Sequence, residues 1–401
     1  LDTGDATYIK QLNRRILIEE IIKNISLSRS DLSRKTGLNK ATISAQVSEL
    51  INEQIVVEKT EGESVTRGRK PILLEINGGA GYSVGIDIDE HNLHFVFCNL
   101  KGELFHKEGI SLKTVDFDEV MKQLLDYLSP AVSTFNGQFE PIGLVGIGVG
   151  IHGIVSNENQ IVYTPKQQWS HYHITNLLKE HFDTPVYVDN NANLSVFAEQ
   201  VYYEHIPDLF CITFYSGIGL GIMNNYQIYR GYQGFAGEIG HMIVEPGGLP
   251  CPCGNHGCWE RYASEKALQQ HLKEWYPDDA PLETVQHLLQ TNPDHEVMEQ
   301  YLDYFAVGLN NIINIFNPEK IVLNGTIING NTAFIENLEQ KLVSKFNNYL
   351  EIRASYLGED ACALGGASVA LKNFFGVNML NHVNYHYFKS DMLKPKRSTS
   401  S

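Results

Sequence analysis

The sequence predicts an α/β protein in two unequal parts: a small front unit of helices closed by a hairpin, and a larger body of two lobes. Three observations lead there. Apolar residues recur at helical spacing through the first fifty or so positions. At Gly81 the texture changes to strands and glycine turns. Beyond it, strands come in groups interleaved with helices, over more chain than one hydrophobic core fills, so two or three domains are expected from the 401 residues.

In the front unit, Ile9, Leu12, Ile16, Leu17, Ile21 and Ile22 mark a helix over residues 7–24. Ser28 is placed to cap a short helix carrying Leu32, and Gly37 to close it in a tight turn. Asn39 caps a second helix whose Ile43, Val47, Leu50 and Ile51 face inward. Short helix, glycine turn and second helix make a helix-turn-helix. On the second helix Lys40, Thr42, Ser44 and Gln46 are candidates for DNA contact: hydroxyls and a lysine suit phosphates, and a glutamine can pair with a base edge. An ordinary solvated face would read the same way residue by residue; the pattern as a whole favours DNA. Residues 56–77 follow as strand, turn and strand, a wing whose tip TRGRKP carries Arg67, Arg69 and Lys70. Such a basic turn can enter a minor groove, or it can serve as a charged linker.

In the body, residues 81–108 alternate as a β-meander with a turn at Asn99–Gly102, and IGLVGIGVGIHGIV reads as a strand pair. A helix at 172–181, the strand VYVDN, a helix from Ala192 to His205, two strands in LFCITFYSGIGLGIM, a helix at 297–316, the strand IVLNG and a closing helix in GGASVALKNFF complete it.

Charge divides the chain along the same line. Residues 1–75 carry 12 Lys and Arg against 11 Asp and Glu, and the remainder 19 against 36, so only the front unit suits a polyanion. Cys98, Cys211 and Cys362 are scattered singly, poor material for a disulfide framework, and no secretory leader is visible. The longest apolar run, PIGLVGIGVGIHGIV, is too short to span a bilayer. These features imply a reduced, cytoplasmic protein without membrane insertion.

The stretch GHMIVEPGGLPCPCGNHGCWE, residues 240–260, gathers Cys251, Cys253 and Cys258 with His241 and His256. Reduced cysteines seldom cluster this way without a metal, and one nitrogen with three thiolates closes a tetrahedral zinc site. Either histidine could supply the nitrogen.

The stretches GLNKATIS, RGRKP, GIDID, VDNNAN, SGIGLGI, GEIGHM, CPCGNHGCWE, NPEKIVLNG and ALGGAS together resemble the ROK family (repressors, open reading frames and kinases), over nearly the whole chain. With its front unit, the sequence is most similar to the xylose-repressor type within that family. The resemblance implies an actin-like, hexokinase-like two-lobed body behind a winged helix-turn-helix. It implies a boundary plan of 1–77 for the DNA-binding unit, 78–196 for the first lobe with a C-terminal return at 360–390, and 197–359 for the second lobe with the metal site. It favours His241 over His256, and so a structural Zn2+ held by His241, Cys251, Cys253 and Cys258. It also assigns sugar contacts to Asn190, Asn191, Glu238, His241 and Glu260, with His241 using its second ring nitrogen. Without the resemblance, the two glutamates read as surface carboxylates. Trp169 could stack on a sugar ring but reads rather as core.

The sequence departs from the family's kinases at two points. The stretch Asp189-Asn190-Asn191-Ala192-Asn193 has Asn191 where the kinases place their catalytic aspartate, and an amide accepts no proton near neutral pH. The kinases' first phosphate loop, Asp-x-Gly-Gly-Thr-Lys, is replaced here by Asp87-Ile88-Asp89-Glu90-His91-Asn92, which sets carboxylates where phosphates would lie. Gly217, Gly219 and Gly221 keep the form of a second glycine loop, which a tight strand turn explains equally well. The expectation is a sugar-responsive repressor without catalytic residues, binding operator DNA as a homodimer or higher oligomer, with xylose as effector. The alternatives are a sugar kinase with an appended DNA-binding module, and a repressor controlled by a protein partner such as a sugar permease.

Overall fold

A computed structural model describes residues 6–60, 72–275 and 296–380. Arg67, Arg69 and Lys70 lie outside the described residues, as does the tip of the expected wing. Among the described residues no helix is long and apolar enough to cross a membrane.

The front unit runs α1 (Ala6–Asn24), β1 (Leu27–Ser28), α2 (Arg29–Thr36), α3 (Lys40–Asn52), β2 (Val56–Thr60) and β3 (Ile72–Ile76), with the strands in an antiparallel sheet of order β1-β3-β2. The helix boundaries follow from the caps. Ser28 accepts from the Asp31 amide at 3.1 Å while Asp31 accepts from the Ser28 amide, a reciprocal box that satisfies two orphan donors. Gly37 ends α2 at φ 73°, a left-handed turn that a side chain would strain. Asn39 accepts from the Thr42 amide at 2.8 Å and starts α3. Leu17, Ile18 and Ile21 of α1, Leu32 of α2, and Ile43, Val47 and Leu50 of α3 bury together.

The first lobe is built on β4 (Gly81–Ile88), β5 (Asn92–Asn99), β6 (Leu104–Ser111), β7 (Gly143–Ile151) and β10 (Val186–Asn190), in the order β10-β7-β4-β5-β6. Helices α4 (Phe117–Asn136) and α5 (Ile174–Phe182) belong to the same lobe. The run IGLVGIGVGIHGIV is not the strand pair its composition predicts. Strand β7 is parallel to both β4 and β10, and the short β8 (Ile154–Val155) turns away to pair with β9 (Ile161–Tyr163). Its glycines serve a helix instead: α11 (Ala361–Phe375) lies directly on the sheet, where a Cβ at Gly148 would come within 2.1 Å of the Gly366 carbonyl oxygen.

The chain crosses between lobes twice. It leaves β10 through α6 (Asn191–Glu199) and a π-helical turn, Gln200–Glu204, into the second sheet. That sheet, of order β13-β12-β11-β14-β15, comprises β11 (Leu209–Phe214), β12 (Ile218–Asn224), β13 (Gln227–Ile228), β14 (Lys320–Asn324) and β15 (Glu351–Ala354). Around it stand α7 (Glu260–Ala263), α8 (Glu265–Trp275), α9 (Glu296–Phe316) and α10 (Thr332–Lys341). The chain returns from β15 into α11. A buried ion cluster ties the two crossings together. Arg353 of β15 donates to Glu199 at 2.8 Å and to Glu204 at 2.7 Å, and Lys320 of β14 reaches Glu204 at 2.8 Å.

Candidate functional site

Four side chains expected to hold a metal converge. One ligand atom from each of His241, Cys251, Cys253 and Cys258 lies within 4.8 Å of all the others, an arrangement that could hold a metal ion. The Sγ atoms of Cys253 and Cys258 are 3.6 Å apart, and Nδ1 of His241 is 3.7 Å from Sγ of Cys251. Glycine turns shape the loop: Gly257, at φ 80°, is pressed against the Glu245 carbonyl, where a Cβ would sit 1.7 Å from the oxygen. His256 is not part of this group; its backbone bridges to Pro250.

The carboxylates expected to meet a sugar stand beside the cluster. Oε1 of Glu260 lies 3.3 Å from Sγ of Cys251 and 3.7 Å from Nδ1 of His241. Burial pushes the Glu238 carboxyl up; His241 opposes that shift and Glu260 adds to it. The two glutamates are therefore not scattered surface charges but neighbours of the same histidine.

Asn190 spends most of its amide on the chain. Its Oδ1 accepts from the amides of Ala192 and Asn193, capping α6, and its Nδ2 donates to the Gly153 carbonyl at 2.7 Å. One N–H is left for a ligand. Asn191, by contrast, lines a cleft cavity of about 470 Å³ together with Asp87, His152, Lys166, Tyr215 and Ser216. Burial lowers the Lys166 ammonium, against the nearby carboxylates of Glu90 and Glu260. Ser216 and Gly217 bring this cavity to Glu260, since a Cβ at Gly217 would lie 3.2 Å from Oε2 of Glu260. Trp169 is core, 2% exposed, with its indole N–H donating to the Val115 carbonyl at 2.7 Å.

Reading the sequence for this site missed the pair formed by His152 and Asp87, in which Nε2 meets Oδ1 at 2.9 Å across the ends of β7 and β4. A histidine inside a glycine-rich apolar run was the available signal. Asp189 was also passed over: its carboxylate receives Arg230, the Asn190 amide and Nδ2 of Asn193.

On α3, Lys40 and Ser44 are exposed and Thr42 half-buried. Gln46 is a correction. It is 6% exposed and its Oε1 has no partner, so it does not stand on the outer face. The spacing explains it, for residues 43, 46, 47 and 50 form one helical stripe and that stripe is the inner one.

Comparison with known proteins fits this geometry. The profile described as ROK family matches residues 83–373. A xylose repressor from Bacillus spizizenii is 34% identical over 388 residues, covering 94% of this chain and 99% of its own length. Among solved structures, a ROK family transcriptional regulator described as a homologue of the Mlc protein of Escherichia coli superposes with a TM-score of 0.76 at 24% identity, covering 92% of this chain and 97% of its own. A ROK family glucokinase from Streptomyces griseus, solved with glucose and AMPPNP, gives 0.62 at 22% identity over 72% of this chain and 99% of its own, a likeness of fold. With a family profile spanning both lobes and a repressor relative aligned nearly end to end, the chain belongs to the ROK family.

Proposed function

We propose that this protein is a sugar-responsive transcriptional repressor that holds operator DNA through its front unit and lets go when a free sugar enters the cleft. The observation that carries this reading is the reach of the repressor likeness, 94% of this chain, which takes in the front unit and the body together. Xylose is the effector favoured by that relative's name.

The front unit acts as a winged helix-turn-helix, with Lys40, Thr42 and Ser44 on the DNA side of α3 and Arg67, Arg69 and Lys70 as further contacts to DNA. Buried Gln46 is not assigned to a base. Two units in a homodimer would meet half-sites about one helical turn apart. Domain limits of 1–77, 78–196 with the return at 360–390, and 197–359 are consistent with this division of labour in a cytoplasmic protein.

The metal is a structural zinc. Bonds of about 2.3 Å to sulfur set tetrahedral edges of roughly 3.7 Å. The 3.6 Å between the Cys253 and Cys258 sulfurs fits that figure, and all four donor atoms lie within 4.8 Å of one another. With three thiolates and one imidazole the shell is full, leaving no position for substrate. Its work is to hold His241 and the 240–260 loop, so that Nε2 of His241, Glu238, Glu260, Asn191 and the remaining N–H of Asn190 face the sugar's hydroxyls.

Phosphoryl transfer is not part of the reading. Asn191 cannot accept a proton, Asp87 is already engaged by His152, and Asp189 at the end of β10 is engaged by Arg230. Fluorescence anisotropy on the chain's own upstream DNA, at fixed salt with and without millimolar xylose, tests the proposal. Release by xylose but not by glucose is the expected result; binding unmoved by any free sugar would turn the reading toward control by a protein partner.

A further inference from the structure

The Asp87–His152 pair lies in the cleft, and the five residues assigned to the sugar leave it unused. Strands β4 and β7 are parallel neighbours, with Asp87 opposite Gly150 and Ile88 opposite Ile151. His152 is the next residue, so its ring emerges at the carboxyl edge of two adjacent parallel strands, the edge at which α/β sheets present groups to ligands. The ring is three-quarters buried and lines the 470 Å³ cavity beside Asn191 and Tyr215. Nε2 is taken by Asp87 at 2.9 Å. Nδ1 has no protein partner recorded among the described residues and is not among their sealed, unpaired atoms.

The surroundings decide which form the ring takes. Burial lowers the His152 imidazole, but Asp87 on β4, with Asp89 and Glu90 beyond it, outweighs burial and raises it. Asp87 is held in its ionised form despite burial by His152, by the Cys362 thiol on α11 and by His94 on β5, whose own Nε2 is engaged by Asp360. An imidazolium with Nε2–H committed to a carboxylate has one remaining donor, Nδ1–H.

We propose that His152 is a further effector-contacting residue, donating from Nδ1 to a hydroxyl oxygen of the sugar, and that Asp87 is its positioning residue. This rests on the sugar-responsive reading above. A neutral polyol suits the pair because it supplies acceptor oxygens without adding negative charge to a cleft already lined by Asp89, Glu90, Glu265 and Glu359.

The test is calorimetric titration of the full chain with D-xylose and, in parallel, D-glucose, from pH 6 to 9. His152→Gln keeps a donor where Nε2 met Asp87 and removes the one at Nδ1; His152→Asn keeps a donor close to Nδ1. The expected result is a roughly 10- to 100-fold loss of affinity in His152→Gln, the range for a hydrogen bond to a charged group. His152→Asn should stay within a few fold of wild type. Wild-type affinity should fall as pH rises and the ring loses its proton, and the fall should vanish in His152→Gln. In the wild-type chain labelled with 15N-histidine, a His152 Nδ1 resonance that moves at saturating sugar supports the contact independently of how the variants fold. Wild-type binding with an unmoved Nδ1 resonance, or His152→Gln binding with the wild-type pH profile, would overturn this proposal alone. A wild-type chain that binds neither sugar would overturn the sugar-responsive reading for these sugars and this proposal with it.

Discussion

Nη2 of Arg353 donates to Oε2 of Glu199 at 2.8 Å, joining positions 154 residues apart at the two places where the chain crosses between lobes. Glu199 is fully buried and Arg353 nearly so, and the guanidinium also lies over the Tyr356 ring at 4.5 Å. Removing one partner strands a charge in the interior. Arg353→Met should cost about 3–5 kcal/mol, and the double variant Arg353→Met with Glu199→Gln should recover part of it. Urea unfolding of the three proteins measures both numbers; a single variant as stable as wild type would deny the cluster its role.

Glu265 opens α8 inside the cleft wall, and burial pushes its carboxyl up to about 7, against the amides of Ile327 and Thr326 that pull it down. A folded-state value above the ordinary 4.5 means stability that is present below that ordinary value and is lost as pH rises through 7. Glu265→Gln, which keeps an acceptor for the Ile327 amide, should gain about 2–3 kcal/mol at pH 8 and almost nothing at pH 4.5. Thermal unfolding at the two pH values reads the difference, and an equal effect at both would refute it.

Lys40 and Gln46 lie on the same helix and should behave oppositely. On the proposed reading Lys40 meets a phosphate, so Lys40→Ala should weaken operator binding at low salt and reduce the salt slope by about 1. Gln46→Leu, replacing a buried amide with an unpartnered Oε1, should raise the unfolding midpoint and leave operator preference unchanged. A changed sequence preference in Gln46→Leu would return that residue to the DNA.

Purified protein should carry one zinc per chain, and Cys258→Ser should carry far less. Chelation should melt the second lobe's loop at 240–260 and abolish the response to sugar before it abolishes binding to DNA. Metal analysis and the anisotropy titration, run on the same preparation, separate the two.

Asn191→Asp supplies the carboxylate that a sugar kinase needs. The wild-type chain should release no ADP from ATP and xylose. The variant should also stay silent, because Asp89 and Glu90 still line the cleft where phosphates would lie. ADP release by wild type, in a coupled assay, would restore the kinase alternative.

Much of this was legible from local rules. Ser28, Gly37 and Asn39 announce both ends of α2 and the start of α3 because capping is decided within four residues. The candidate metal cluster was legible because its three thiols share one loop, while the choice of His241 over His256 came from the family resemblance. What needed three dimensions was whatever joins distant positions. The glycines of β7 looked like a hairpin until α11 was seen lying on them. Asp87 and His152 are 65 residues apart and meet only because β4 and β7 are parallel neighbours. Gln46 is a different kind of miss. Its helical position, on one stripe with Ile43, Val47 and Leu50, places it inside, whereas its polarity alone suggests the outer face.

The front unit and the body are not beads on a thread. Leu17, Ile18 and Ile21 of α1 belong to the same apolar cluster as Leu371, Phe375, Val377 and Leu380 at the far end of α11, and the Asn378 amide donates to Glu19 at 2.8 Å. The other end of α11 reaches the cleft at Cys362. Helix α11 thus spans from the cleft cavity to the front unit, with an apolar seal around its far end. Cutting the chain at residue 77 would uncover that seal on both fragments, so the front unit should not be expected to work alone.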